Sequence, residues 1–316
     1  MANNHEKINA TVLILTHNEE CHIGRLLDCL GDKFASIIVI DSGSTDKTKK
    51  IAEQFDANII ENEWPGSHSA QINWAIKNID IKTDWIIRLD ADEIISSDVL
   101  VEIKNKLNNA TTSIGGFIMK RGHIFLGKRI KHGGTFPTKI TRIWRTGHGK
   151  CDGRLMDERI IIDNDFLLGS IDGVFWDHNL KGISEWIKKH NEYASKEAVE
   201  QFLRRRTNLK LKGRSFPNEP HLPYTKKFFE ITPLPIRSLL YFLYRYILKG
   251  GFFDGLPGFF WHFLQGFWYR LLVDVKVTEI EKLYADNDMD IKDIIYNLTN
   301  YEVEESLYHS KNKSSS

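Results

Sequence analysis

Four short apolar runs in the first ninety residues constrain this chain more than any other feature. They are Thr11-Val12-Leu13-Ile14-Leu15, Ile37-Ile38-Val39-Ile40, residues 57–60 and Trp85-Ile86-Ile87-Arg88-Leu89. Each is too short for a buried helix and reads as a strand covered on both sides. Between them, Ile23, Leu26, Leu27 and Leu30 recur at helical spacing, as do Thr48, Ile51, Ala52 and Phe55, and residues 70–79 continue the pattern. Continuous apolar strands alternating with amphipathic helices predict βαβ units, hence an α/β fold with a mostly parallel sheet and helices on both faces.

The polar residues at the end of each strand carry the chemistry, because open parallel sheets bind ligands beyond the carboxyl ends of their strands. The first run leads into Thr16-His17-Asn18-Glu19, the second into Asp41-Ser42-Gly43-Ser44-Thr45-Asp46, and the fourth into Asp90-Ala91-Asp92-Glu93. These clusters are expected to converge on one edge of the sheet. Gly43 permits a tight turn, and Ser44, Thr45 or Asp46 can cap the next helix, so part of the second cluster reads equally as turn chemistry. Asp41 ends an apolar strand and needs a donor, which a base imide or a ribose hydroxyl would supply. Glu19, one strand over, could accept from the same nucleoside. Asp90 and Asp92 sit two apart, so in an extended segment their carboxylates point the same way and repel unless a cation or a shared proton intervenes. Mg²⁺ or Mn²⁺ suits such a pair, since these ions take oxygen ligands and bridge phosphates.

Together the three clusters resemble inverting glycosyltransferase family 2, in spacing and order, over about residues 10–200. Within that family the chain is most similar to the bacterial branch of lipopolysaccharide-core and exopolysaccharide β-glycosyltransferases. The resemblance implies a GT-A, Rossmann-like fold, a nucleotide-diphosphate sugar donor and a divalent metal. It implies that Thr16, Asn18 and Glu19 line the donor nucleoside with Asp41 facing the base. The stretch 67–73, with Gln71 and Asn73, matches a donor-contacting segment, though a helix start capped by Ser67 or Ser69 fits it as well. Asp90 would reach the ribose or the metal, and Asp92 would ligate the metal directly. Gly153-Arg154-Leu155-Met156-Asp157-Glu158 matches the branch's later acidic motif, with Asp157 standing where many relatives carry His. Glu158 is the favoured general base, with Asp157 as its rival. His178 matches a position of a third metal or pyrophosphate contact, and a structural histidine is the competing reading.

Other motifs are less specific. Basic residues from Lys120 to His132 could hold a diphosphate or an anionic acceptor, and Arg142 and Arg145 are expected to extend that surface. A helix is expected from Ile183 to about Arg206, then a proline-containing linker over 207–227. Residues 228–277 interleave many aromatic rings with Arg237, Arg245, Lys249 and Arg270, a composition suited to a membrane interface or an oligomer contact. The expected organisation is a catalytic domain over 1–227, an amphipathic helical region over 228–309 and a disordered tail over 310–316. Lys and Arg number 43 against 42 Asp and Glu, so no global field recruits nucleic acid. Three unpaired-looking cysteines and a polar start suggest a cytoplasmic chain, peripheral on the inner face of the cytoplasmic membrane. The acceptor expected from the resemblance is a lipopolysaccharide core or other lipid-linked saccharide.

Rival readings fall on position. A sugar nucleotidyltransferase would place a Gly- and Arg-rich loop after the first strand. An aspartyl phosphatase would place its Asp-x-Asp there, and a dinucleotide oxidoreductase lacks its glycine turn. A non-catalytic, membrane-associated scaffold with the same fold is opposed by intact Asp90, Asp92 and Glu158.

Overall fold

In the computed structural model, residues 7–152, 158–207 and 234–286 are described, with Asp293 and Tyr296. The chain divides into two compact units, Met1–Gly182 and Ile183–Ser316. The domain boundary at 227, most of the linker and the tail expected at 310–316 lie outside the described residues.

The first unit opens with β1 (Ile8–Thr16), α1 (Ile23–Leu30), β2 (Phe34–Asp41), α2 (Thr48–Glu53), β3 (Asn58–Glu61), α3 (His68–Asn78) and β4 (Trp85–Asp90). The strands lie in the order β3-β2-β1-β4, every pair parallel. Alternation along each strand sends side chains to two cores. Val12, Ile14, Val39, Ile87 and Leu89 pack with Ile23, Leu26, Leu27 and Leu30 of α1. Leu13, Ile38, Ile40 and Ile86 pack with Ile72 and Ala75 of α3. The fully apolar runs are thus explained: both faces are covered by helices.

Beyond β4 the sheet changes character. β5 (Glu93–Ile94), α4 (Ser97–Asn108), β6 (Ile114–Phe125), β7 (Lys128–Ile130), β8 (Thr138–Arg145), β9 (Gly149–Cys151), β10 (Ile160–Ile162) and β11 (Leu167–Asp177) come next along the chain. The sheet continues β4-β8-β6-β11-β5, with β8 antiparallel to both neighbours, β11 parallel to β6, and β5 antiparallel to β11. The parallel half expected from the sequence is joined to a mixed half, while β9 and β10 form a separate ribbon. Gly122 sits opposite Trp176, where a Cβ would come within 2.5 Å of the indole ring, so only glycine lets that ring lie flat on β6.

The second unit is helical. It comprises α5 (Gly182–Thr207), α6 (Leu234–Leu243) prolonged by a π-helical turn (Tyr244–Leu248), a 3-10 turn (Gly251–Asp254), α7 (Gly255–His262) prolonged by a second π-helical stretch (Phe263–Trp268), and α8 (Tyr269–Asp286). Ala194, Ala198, Val199 and Phe202 of α5 pack on Tyr269, Val273, Val277 and Ile280 of α8. Their spacing of three and four puts each set on one stripe. Truncating the fully buried Phe202 to Ala would cost about 3–5 kcal/mol.

Candidate active site

Register brings the strand ends together. Thr16 pairs with Asp41 and Leu15 with Asp90, so three carboxyl ends finish at one level of the sheet. Asp41 is completely buried, and its carboxylate accepts from the Thr16 hydroxyl (2.8 Å), the Ser44 hydroxyl (2.6 Å) and the Ser44 amide (2.7 Å). Those bonds close the turn in which Gly43 adopts φ 80°. Asn18, itself at φ 54°, accepts on Oδ1 from the Thr45 amide (2.8 Å) and donates its own backbone N–H to Ser44 Oγ (2.8 Å). The loops after β1 and β2 are therefore knitted into one ledge. Gln71 of α3 is buried beside it and donates to Ser42 Oγ (3.0 Å). Asn73, one turn-face away, clamps the Cys151 backbone through both amide atoms (3.0 and 2.8 Å).

Glu19 is gripped from two sides, by His22 Nδ1 (2.6 Å) and by Lys181 Nζ (2.7 Å). Burial raises its pKa, but those two partners together hold it below the ordinary value. His22 is fully buried, and its Nε2 accepts the Leu180 amide (2.7 Å), which leaves the proton on Nδ1 to face Glu19.

Beneath the ledge lies a buried charge cluster. Arg142 of β8 reaches both Asp90 (2.8 Å) and Glu93 (2.5 Å), and Arg88 of β4 reaches Asp90 (3.3 Å) and Glu158 (2.7 Å). Burial opposes the charge on Asp90, yet Arg142 and Arg88 hold its carboxyl well below the usual range. Burial pushes Glu93 up to about 8 against the Arg142 charge, with the Asp90 charge adding to the rise. Glu158 is lowered: burial raises it, but the Arg88 charge and that of His68 outweigh the burial. The sequence places Arg142 on a basic surface. It is 4% exposed instead, because its strand position turns it inward toward the end of β4. Arg145 is half-buried, donating to the Ile114 and Thr111 carbonyls with its guanidinium 4.4 Å from the Trp85 ring. The expected basic loop is likewise occupied, with Lys120 on Asp172 (2.8 Å) and Arg129 over Trp176 (4.7 Å).

Asp92 differs from expectation in its backbone. The strand ends at Asp90, and Ala91 and Asp92 form a turn before β5, so the alternation argument that pairs the two carboxylates stops one residue short. Asp92 accepts from Asn179 Nδ2 (3.2 Å), and its carbonyl accepts the His178 amide (2.9 Å). Arg25 of α1 donates to His178 Nδ1 (2.8 Å) and to its carbonyl (2.7 Å). Arginine cannot accept, so the neutral His178 ring carries its proton on Nε2. Burial and the Arg25 charge both lower the His178 pKa. Metal ligation by this ring would first require Arg25 to let go. Among the described residues no three metal-type side chains meet. The donor set of Asp90 and Asp92 suits a hard divalent ion held by one or two carboxylates and completed by diphosphate oxygens and water, not a protein cage.

The structure thus links Thr16, Asn18, Asp41 and Gln71 in one hydrogen-bonded network with Glu19 beside it, and joins Asp90 to Glu158 through Arg88 in a second. The register of β1 brings the two to one level, and His178 is set against Asp92. Asn73 braces β9, and Asp157 lies outside the described residues. Sequence reading missed Arg25, His22, Arg88, Arg142 and Lys181 as site builders. For Arg88 a signal existed: a cation inside an apolar strand needs a buried partner.

Sheet order, helices on both faces and a polar rim at the strand ends define the GT-A class of α/β fold. Residues 11–168, half of the chain, match the family model described as Glycosyl transferase family 2, and the chain belongs to that family. It is 38% identical to an uncharacterized glycosyltransferase of Rickettsia felis over 99 residues, which are 31% of this chain and 33% of that one. The chain therefore spans about a third of the length of that relative. It is 24% identical over 289 residues to the lipopolysaccharide core biosynthesis glycosyltransferase LpsC of Rhizobium meliloti, covering 90% of this chain and 97% of LpsC. Among solved structures it is similar to glucosyl-3-phosphoglycerate synthase from Mycobacterium tuberculosis, crystallised with Mn²⁺, uridine diphosphate and glucosyl-3-phosphoglycerate. That likeness has a TM-score of 0.30 and 21% identity, and covers 36% of this chain and 43% of the other.

Proposed function

We propose that this protein transfers a sugar, with inversion, from a nucleotide-diphosphate sugar to a lipopolysaccharide-core or lipid-linked saccharide acceptor at the cytoplasmic face of a membrane. The observation that carries the reading is the strand register. It sets Thr16, Asp41 and Asp90 at one rim, with Arg88 joining Asp90 to Glu158. Similarity to LpsC along nine-tenths of the chain favours the lipopolysaccharide-core acceptor over an exopolysaccharide one.

In this reading the ledge of Thr16, Asn18, Glu19 and Asp41, with Gln71 behind it, orients the donor nucleoside. Asp92 and Asp90 would hold Mg²⁺ or Mn²⁺, which when bound would supply Lewis-acid stabilisation of the departing diphosphate. Glu158 takes the proton from the acceptor hydroxyl as its oxygen bonds the anomeric carbon. The carbon–oxygen bond to the diphosphate breaks and the electron pair leaves with the nucleoside diphosphate. Arg88 keeps Glu158 ionised and in place until the acceptor displaces it. His178 and Arg25 border the diphosphate side.

The test is a panel of nucleotide sugars, each with and without Mg²⁺ or Mn²⁺, read as a shift in unfolding temperature. A metal-dependent rise with one nucleotide sugar is expected. A panel that leaves the melting curve unmoved, with either ion, ends the proposal.

A further inference from the structure

Helices α6 and α7 carry their polarity inside out. Among the described residues 236–263, every exposed one is apolar or aromatic except Lys249 and Gly255. The bend between the helices is the most exposed part: Leu248 is 76%, Phe253 67% and Leu256 65% accessible. The charged and polar groups of the same stretch point inward. Arg237 makes a two-pronged bond to Asp274, which Ser238 also approaches, and all three are buried. Arg245, Asp254 and His262 are buried as well.

In water this arrangement is inverted, because charged groups normally take the outer face and apolar ones the core. In lipid it is the expected order: ionisable residues turn to the bundle interior and pair there, and apolar side chains face the acyl chains. The internal packing agrees. Phe242 lies against Phe259 and Phe263, and Tyr246 against Phe259, so the two helices form an antiparallel hairpin. Gly266, in the π-helical extension of α7, faces the backbone of α6, where a Cβ would lie 3.6 Å from the Phe242 Cα, the close approach that small residues allow between lipid-embedded helices.

We propose that this hairpin inserts into one leaflet of an anionic bilayer without crossing it. The π-extended α6 has 15 residues and the π-extended α7 has 14. At 1.5 Å per residue the π-extended α6 reaches about 22 Å, short of the roughly 30 Å of hydrocarbon that a spanning helix must cover. The π-extended α7 runs on into α8, where Arg270, Asp274 and Lys276 end the apolar stretch. No helix among the described residues is long and apolar enough to cross a membrane. Charge sets the lipid class. Lys249 is exposed beside the Tyr244 ring, Arg270 is held by Glu197 (2.7 Å), and the nearby carboxylates Asp254 and Asp274 are buried. The charge left to meet headgroups is therefore positive. A second copy of the chain fits this face poorly. Protein interfaces carry a polar rim and about one hydrogen bond per 100–200 Å², whereas Tyr244 and Lys249 are the exposed side-chain hydrogen-bonding groups here among residues 236–263.

This deepens the membrane part of the proposed function, and its test uses neither donor nor acceptor, so its failure would leave sugar transfer standing. The full chain is mixed with vesicles of phosphatidylglycerol and phosphatidylethanolamine, or of phosphatidylcholine alone, and floated on a density gradient. Flotation with the anionic vesicles is expected, persisting in about 1 M NaCl because the attachment is apolar and screening leaves it intact. The variant L248E/F253E/L256E changes only exposed side chains and should keep its circular dichroism while binding falls tenfold or more. Salt-stripped binding, or a triple variant that floats like the parent, overturns insertion. So does a lipid-free dimer that the triple variant converts to monomer while flotation is unchanged.

Discussion

The two units bury charge for different ends. In the first, Arg88 inside β4 and Arg142 inside β8 are buried against the acidic groups at the carboxyl end of β4 and the start of β5, and Asp41 is buried at the end of β2. In the second, Arg237, Arg245 and Asp254 are buried within a hairpin whose exposed side chains are apolar or aromatic apart from Lys249, and Arg237 pairs there with Asp274 of α8. Buried ion pairs seldom add net stability, because desolvation offsets attraction. Where a chain keeps them, the reason lies in what they position or in the solvent the unit meets. At the strand ends they hold Asp90 and Glu158 in fixed states. In the helical unit they leave Lys249 as the exposed charge among residues 236–263. Burial of charge by itself is therefore uninformative, and what lies on the opposite face decides its meaning.

The largest effect expected is on the rim. Glu158→Gln should lower turnover by about 10²–10⁴-fold with donor affinity little changed, since it removes proton acceptance and leaves the ledge intact. Asp92→Asn should abolish metal-dependent transfer with an unchanged circular dichroism spectrum. Steady-state kinetics on purified variants checks both. Undiminished turnover in either would strip the first unit of its catalytic half of the comparison.

Next comes the helical unit. Arg237→Met leaves Asp274 buried beside Ser238 alone, and should destabilise the unit by about 3–5 kcal/mol in denaturant titration. The double variant R237M/D274L should recover most of that loss, because two apolar groups need no partner. If the double variant stayed as unstable as the single one, the pair would be contributing more than mutual neutralisation.

A third expectation concerns pH. In the proposed mechanism Glu158 acts ionised, and Arg88 holds its carboxyl below the ordinary value of 4.5. Transfer should therefore persist from neutral pH downward and fall only as pH drops through that lowered value. Arg88→Met removes the cation while burial remains, so the acid limb of the rate profile should move to higher pH. A limb that stays put would show that Arg88 does not govern the base.

Much of the first unit is legible because its signals are local. Four apolar runs mark β1 to β4, and the polar clusters after them mark the rim where the candidate site residues meet. The helix expected from Ile183 to about Arg206 is α5, Gly182–Thr207. What escapes is non-local. β5 has two residues and no periodicity to read, yet it pairs with β11 and brings Asp177 opposite Glu93. Arg142 reads as surface because alternation alone cannot tell which face of β8 is covered. Only its pairing beside β4 puts Arg142 under Asp90. In the second unit, composition shows the aromatic and basic mixture but not its inversion, since helical spacing is the same whichever face meets water.

The smallest effect separates scaffold from site within α3. Ser67 caps this helix, its hydroxyl accepting the Ala70 amide at 3.1 Å, while Gln71 one turn later is buried against Ser42 of the ledge. Ser67→Ala should cost about 1 kcal/mol, the usual loss of a cap, and lower the melting temperature by a few degrees. Its Michaelis constant for the donor should not change. Gln71→Ala should do the reverse, raising that constant more than it lowers the melting temperature, because the bond it loses holds the ledge proposed to contact the nucleoside. Equal rises in both variants would mean that the helix start itself touches the donor, and the division between the end that caps and the turn that positions would have to be redrawn.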